Sequence, residues 1–409
     1  MTQNQALRSG LNAVIGEVAA EYHERDEETR MITLGFLARQ HTLLLGPPGT
    51  GKSALVRELT SRLEGGTYWE ILMSKFTAPT AIFGPIDVGA LAQGTYRQLL
   101  DGHATTCDVA FIDEIFKCSS AALNSMLAYL NERVYHPESG GDPIPCPVLS
   151  AVCASNELGE DEATAALYDR LLIRMEVDYL TEPDSFDKLL RSAIASPNSQ
   201  NDLNSPNGQQ RTTVDLAELR QATAAEVPAV ELPATVREAI RDLRSDLRHR
   251  EITSSDRRWK QAVRVLQAAG WLEGREAVEV DDLAVLTHVL WDVPANRSSV
   301  AKTIRGYLSP DDRDLADLDD QVTIIATELD QLITDGDSAR LQEWAVSTNT
   351  KLAQIAKRIT GIRDAAERDG RTLTPYQKAA DRAQQVYARL LGEALGVSPD
   401  KIPTLGGRR

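Results

Sequence analysis

The chain has 409 residues, more than one hydrophobic core usually organises, so two or three domains are expected. Its hydrophobic (42%) and charged (25%) contents are those of an ordinary globular protein, and no run approaches the roughly 18 apolar residues of a membrane span. With 60 acids against 44 bases the net charge is −16, a surface that repels phosphate backbones and disfavours general nucleic-acid binding.

In chain order, the first thirty residues lack a basic segment followed by an apolar core, so no secretory signal is expected. Residues 1–40 read as helical, with Leu11, Val14, Ile15 and Val18 on one stripe. From Thr42 to Ser155 short apolar strands alternate with helices, the pattern of an α/β protein with a parallel sheet. The candidate buried strands are TLLL, YWEILM, VAFID and PVLSAVCAS. Helical character returns at Pro183 with DSFDKLLRSAIA and is broken by a polar stretch at about 196–214, which reads as a loop or disordered insertion. Helices resume in PATVREAIRDLRSDLRHR, SSDRRWKQAVRVLQAAGWLEG and VDDLAVLTHVLWD. Beyond Ser309, Leu315, Leu318, Val322, Ile325, Leu329 and Leu332 keep a 3–4 spacing, as do Leu352, Ile355, Ile359 and Ile362. Such seams make a helical hairpin or small bundle, packed on itself or serving as a docking arm. The cysteines, Cys107, Cys118, Cys146 and Cys153, form no CxxC pair and suit a reducing cytoplasm.

The chemistry is concentrated at GPPGTGKS. Gly46, Gly51, Lys52 and Ser53 match G-x-x-x-x-G-K-[ST], with an apolar strand before and a helix-forming run after. Glycines let successive backbone N–H groups turn inward on phosphate oxygens, and the helix N-terminus adds its positive dipole. The segment running through Gly46, Pro48, Gly49, Thr50, Gly51, Lys52, Ser53 and Ala54 is therefore the candidate cradle for ATP. Lys52 would meet the β/γ-phosphates and the Ser53 hydroxyl would ligate Mg²⁺. In VAFIDEIFK, Asp113 and Glu114 emerge at the end of a buried strand: Asp113 for Mg²⁺, Glu114 as general base on the attacking water. The strand PVLSAVCAS ends in Asn156, which either positions that water or caps a helix.

Together GPPGTGKS, FIDE, ASNE, ALYDRLLIR and SSDRRWKQAVRVLQ resemble the AAA+ ATPases of the MoxR family, and within it the RavA-like branch. The resemblance covers roughly residues 20–295. It implies an α/β P-loop AAA+ core, a parallel sheet flanked by helices, with an all-α lid and an α-helical C-terminal region. The implied domains are a nucleotide-binding core at 1–180, a lid at 181–296 and a C-terminal hairpin or bundle at 297–409. Within the core it implies a helix-2 insert at about 76–104 and a pre-sensor hairpin at about 132–148. It further implies a homo-oligomeric ring, usually a hexamer, hydrolysing ATP in the cytoplasm to remodel protein clients beside a von Willebrand A domain partner. On this alignment Arg170 is the arginine finger acting in trans, with Arg174 the other option. Arg257, or Arg258 one register on, is the sensor-2 arginine reading the γ-phosphate of its own subunit, and His23 approaches the adenine.

Two other machines share this core, a DNA motor and a nucleotide-gated scaffold. A DNA grip needs cations on the inserts, yet GPIDVGALAQGTYRQLLDG offers Arg97 against two aspartates, and PESGGDP carries Glu138 and Asp142 with no base. A scaffold would have no need for Glu114, Asn156 and Arg170 together.

Overall fold

The computed structural model describes residues 3–137, 140, 142–158, 162–195, 211–368, 374–398 and 401–403. Its packing separates into two compact units, Met1–Ala301 and Lys302–Arg409. Among the described residues, no helix is long and apolar enough to cross a membrane.

The first unit is built on five parallel strands: β1 (His41–Leu45), β2 (Tyr68–Leu72), β3 (Val109–Asp113), β4 (Ser150–Ser155) and β5 (Leu171–Glu176), in the spatial order β2-β3-β4-β1-β5. In β1, all five residues are buried, as expected of a parallel strand covered on both faces. The register pairs Leu45 with Ser155 and Ile112 with Cys153, so β1, β3 and β4 end at one edge. The four expected strands are present. The fifth, LLIRME, lies outside those expectations because Arg174 interrupts its apolar run, yet that arginine is only 1% exposed.

Helices α1 (Gln3–Glu21), α2 (Asp26–Ala38), α3 (Lys52–Ser61), α4 (Ser120–Glu132), α5 (Glu162–Arg170) and α6 (Pro183–Ala195) accompany the sheet. On α1, the buried positions Leu7, Leu11, Val14 and Val18 confirm the helical stripe, while Ile15 sits at its margin. Ser119 caps α4 by accepting the Ala122 N–H at 3.2 Å. Between β2 and β3, an insert carries two one-turn helices (Pro79–Phe83 and Val88–Ala92) and a bridge between Ile86 and Gln98. After α4 a small hairpin pairs Val134–Tyr135 with Ile144–Pro145. The insert and hairpin are joined: Phe83 stacks on Tyr135 with ring centroids 4.4 Å apart, and the Tyr135 hydroxyl donates to Gln98 Oε1 at 3.0 Å. Glu138, assigned to the tip of this hairpin, lies outside the described residues; Asp142 and Arg97 are both exposed.

The polar stretch also lies mostly outside the described residues, at 196–210. Its last residues are ordered, which shortens the expected loop: Val214 opens a two-residue parallel strand beside Leu63, and Thr212 donates its N–H to Glu17 Oε2 at 3.1 Å. The lid helices α7 (Ala234–His249) and α8 (Asp256–Leu272) follow, then a 3-10 segment Val280–His288. The lid packs on α1 and α2 through Asn12 Nδ2 to the Leu272 carbonyl (3.3 Å), Arg30 to Glu273 (3.0 Å) and His288 Nε2 to Glu27 (2.7 Å).

The second unit, taken by itself, is a bundle of α9 (Pro310–Asp335), α10 (Ser338–Arg368) and α11 (Thr374–Arg389). Its core contains five of the six expected positions of α9 (Leu315, Leu318, Val322, Ile325 and Leu329), with Leu352, Ile355 and Ile359 from α10 and Tyr376, Ala383 and Val386 from α11; Leu332 is buried outside that cluster. The apolar seams are thus consumed inside the bundle, the self-packed alternative. None of the four cysteines, all among the described residues, is in a disulfide, and burial pushes the thiols of Cys107 and Cys146 up to about 11, so neither is a reactive thiolate near neutrality.

Candidate nucleotide site

The P-loop leaves β1 at Gly46, whose N–H donates to the Ser155 carbonyl at 3.0 Å. A Cβ on Gly46 would lie 1.8 Å from the Val177 carbonyl oxygen, so the loop can start here only on glycine. Gly49 and Gly51 are left-handed (φ 81° and 80°), and a Cβ on either would meet nothing within 4 Å. The loop therefore wraps open space rather than packed side chains, the shape of a phosphate cradle. Gly51 is also the N-cap of α3, placing that helix's unpaired N–H groups at the same spot.

Lys52, the first residue of α3, turns back over the loop. Its Nζ donates to the carbonyls of Gly46 (2.9 Å) and Pro47 (2.7 Å) and approaches Thr50 Oγ1 at 3.3 Å. Burial holds its pKa below the ordinary lysine value, while Asp113 and Glu114 pull it upward. The charges of both acids thus reach Lys52, and β1 and β3 end at the same edge of the sheet. Asp113 Oδ1 accepts the Glu114 N–H at 3.0 Å. Glu114 itself adopts φ 52°, an uncommon conformation for a non-glycine residue, and its carboxylate lies 3.2 Å from Lys117 Nζ. Ser53, half-buried in the first turn of α3, and Asp113 offer hydroxyl and carboxylate oxygen. These hard donors suit Mg²⁺ carried in on a triphosphate, which typically takes one or two protein oxygens and keeps water and phosphate for the rest. Asn156 is exposed, immediately beyond β4.

His23 is half-buried in the turn between α1 and α2. Its neighbours make the contacts to the loop. The Tyr22 hydroxyl donates to the Ala54 carbonyl (3.2 Å), and Arg25 reaches the Thr50 carbonyl (3.5 Å). From the other side the Tyr179 hydroxyl donates to the Pro48 carbonyl at 3.4 Å. A motif search that stops at GKS misses these residues; the one sequence signal was a lone arginine among acids in EYHERDEE.

The arginines behave differently from the alignment. Arg170 directly precedes Leu171, which pairs with His41 at the start of β1. Arg257 donates to Asn131, beside Leu130, whose carbonyl meets His41 Nε2 at 2.7 Å. Both therefore sit at the opposite end of β1 from the P-loop. They also feel each other: burial and then Arg257 lower the Arg170 pKa. The resemblance implies Arg257 over its own subunit's γ-phosphate; here its guanidinium donates to Asn131, at the end of the sheet away from the P-loop. Neither runner-up is available. Arg174 is spent inside the chain on the Trp291, Tyr168 and Leu171 carbonyls and Asp292, with its guanidinium 3.6 Å over the Tyr168 ring. Arg258, 1% exposed, donates to the Leu172 (3.1 Å) and Val289 (2.8 Å) carbonyls and fastens the lid to β5.

Comparison with known proteins gives the family. Residues 9–221 match the MoxR domain of the MoxR-vWA-beta-propeller ternary systems, and residues 235–304 match an AAA lid domain. An uncharacterised protein of Methanocaldococcus jannaschii is 32% identical over 286 residues, covering 69% of this chain and 70% of the relative. The chaperone MoxR1 of Mycobacterium tuberculosis is 26% identical over 52% of this chain and 54% of its own length. In fold, a crystal structure of a candidate ATPase from Cytophaga hutchinsonii superposes with a TM-score of 0.59 at 15% identity, covering 75% of this chain and 96% of that one. With a glycine-rich loop on a five-stranded parallel sheet, a helical lid and a family match spanning more than half its length, the chain belongs to the MoxR family of AAA+ ATPases.

Proposed function

We propose that this protein binds ATP with Mg²⁺, hydrolyses it between neighbouring subunits of a ring, and uses the cycle to remodel a protein client. One observation carries the reading: the P-loop, Asp113, Glu114 and Asn156 gather at one edge of the sheet, whereas Arg170 and Arg257 lie at the other. A single chain therefore holds a nucleotide without completing the site, and stacking a second copy head-to-tail supplies what is missing. The edge that would face the neighbour's γ-phosphate also carries Arg39 and Arg133, whose charges, with that of Arg257, are felt at His41.

On this reading Lys52 leaves its loop carbonyls for the β/γ-phosphates, and Glu114 takes the proton of the attacking water while Asn156 orients it. Ser53 and Asp113 would hold Mg²⁺, which when bound would supply charge neutralisation on the phosphate oxygens. Arg170 and Arg257 of the adjacent copy offset charge that develops in the transition state, so both act in trans. The matched family model is defined on systems that pair a MoxR protein with a von Willebrand A protein, which supports such a partner for this chain. Exposed Asp142 on the hairpin supports a protein client over DNA. The hexamer and the RavA-like placement are carried by the motif set, and four cysteines outside any disulfide fit a cytoplasmic setting.

The test is a pair of variants. Lys52→Ala should abolish binding of a fluorescent ATP analogue. Glu114→Gln should bind it normally yet lose steady-state hydrolysis by about 10²-fold or more. Wild-type turnover in Glu114→Gln would overturn the mechanism, and full client activity in that variant would favour the nucleotide-gated scaffold.

A further inference from the structure

We infer that Arg25 is a positioning residue of the nucleotide site, holding the P-loop in shape through backbone carbonyls and so setting nucleotide affinity without touching phosphate. The inference rests on the ATP-binding reading above. Arg25 lies at the start of α2 and is 7% exposed. Its guanidinium donates to carbonyls of three segments: Glu24 in its own turn (2.8 Å), Asp178 just past β5, and Thr50 in the loop (3.5 Å). A carboxylate partner, Glu28, stands only at 3.9 Å, so the guanidinium is committed chiefly to backbone.

The same joint is reinforced around it. Glu24 accepts the N–H groups of Thr181 (2.9 Å) and Glu182 (3.0 Å), tying the α1–α2 turn to the segment that leads into α6. Tyr179, in that segment, donates to the Pro48 carbonyl. The loop itself has little packing to hold it, because two of its residues are left-handed glycines facing open space. Lys52 and Thr50 bond it from within, and Arg25 and Tyr179 add bonds from outside that remain when Lys52 turns to a phosphate. An arginine can make them: its planar fork offers five donors in fixed directions and serves three acceptors at once, whereas a lysine ammonium is a single point. The charge of Arg25 also bears on Lys52, opposing that residue's protonation. Arg25 and Lys52 are therefore close enough to share a field while binding different atoms.

A residue that positions the loop contributes equally to every nucleotide the loop holds, whereas a cation aimed at the γ-phosphate favours ATP over ADP. Titration of full-length protein with fluorescent ATP and ADP analogues in Mg²⁺ separates the two. Arg25→Ala should weaken both by a similar factor, about tenfold or more, with Arg25→Lys recovering only part. Tyr179→Phe, which keeps the fold and removes one loop bond, should weaken both by a few-fold without moving the melting temperature of the nucleotide-free protein. Arg25→Ala binding within twofold of wild type, a loss confined to ATP, or full recovery by lysine would each overturn the inference. If Arg25→Ala does not fold, unchanged binding by Tyr179→Phe overturns it instead. Wild-type protein that binds neither nucleotide removes the ATP reading, and this inference with it.

Discussion

His41 shows how a single side chain can be set by its surroundings. Its Nε2 meets the Leu130 carbonyl at 2.7 Å and its Nδ1 accepts the Ala151 N–H at 2.9 Å, which requires the neutral ring with hydrogen on Nε2. Burial, helped by Arg133, pushes its pKa down to about 3. In the unfolded chain the same ring takes a proton near pH 6.5. Between these values the unfolded state binds more protons, so this contribution to stability is complete above about pH 6.5 and falls as pH drops toward 3. His41→Gln keeps a donor and an acceptor but does not titrate. Urea midpoints at about pH 7.5 and about pH 4.5 should therefore show wild type losing more stability on acidification than the variant. Equal losses would mean that His41 does not carry the slope. Arg257 and Arg258 give a second lesson at this scale. One step along the backbone separates a half-buried arginine, bonded to Asn131, from one that is spent under the lid.

Among the elements, the bundle of α9, α10 and α11 has the simplest logic. The 3–4 spacing from Leu315 to Leu332 puts six apolar side chains on one stripe, and all six are buried. Ser309 caps α9 by accepting the Asp312 N–H at 3.2 Å, with Pro310 in the first turn, so the helix start is written locally as well. Leu329 is fully buried. Leu329→Ala should cost this unit about 3 kcal/mol, seen as faster cleavage in the bundle under limited proteolysis while nucleotide affinity of the full chain is unchanged. Strand β5 is the contrasting case. Its arginine hides it from an apolar-run search, and it forms because Leu171, Ile173, Arg174, Met175 and Glu176 pair with β1 while the Arg174 side chain finds backbone carbonyls beneath the lid.

For the whole molecule the decisive feature is that the two halves of the proposed hydrolytic site lie on opposite edges of one sheet. This makes a prediction that no single-chain enzyme shares. Arg170→Ala keeps the P-loop half, and Glu114→Gln keeps the arginine half. Each alone should lose about 10²-fold or more of its turnover. Mixed at equal amounts they should regain a substantial part, because some junctions then join an intact Glu114 to an intact Arg170. Activity of the mixture equal to the mean of the two would show that the site is complete within one chain.

Much of this protein was legible in its sequence. The P-loop, the acids after VAFID, the heptad seams and four of the five strands are local features, written in periodicity and in residues whose backbone preferences act over a few positions. The family follows from their order. What remained undetermined concerned direction and distance. Whether Arg257 faces its own nucleotide or a neighbour's depends on which edge of the sheet α8 starts from, and that is set by bonds between residues far apart in the chain, such as Arg258 to Val289 and Arg174 to Asp292. Likewise Arg25 acquires its acceptors from Thr50 and Asp178 only when the chain has closed around the loop. Short-range patterns specify elements, whereas the partners of a buried cation are chosen by how those elements pack.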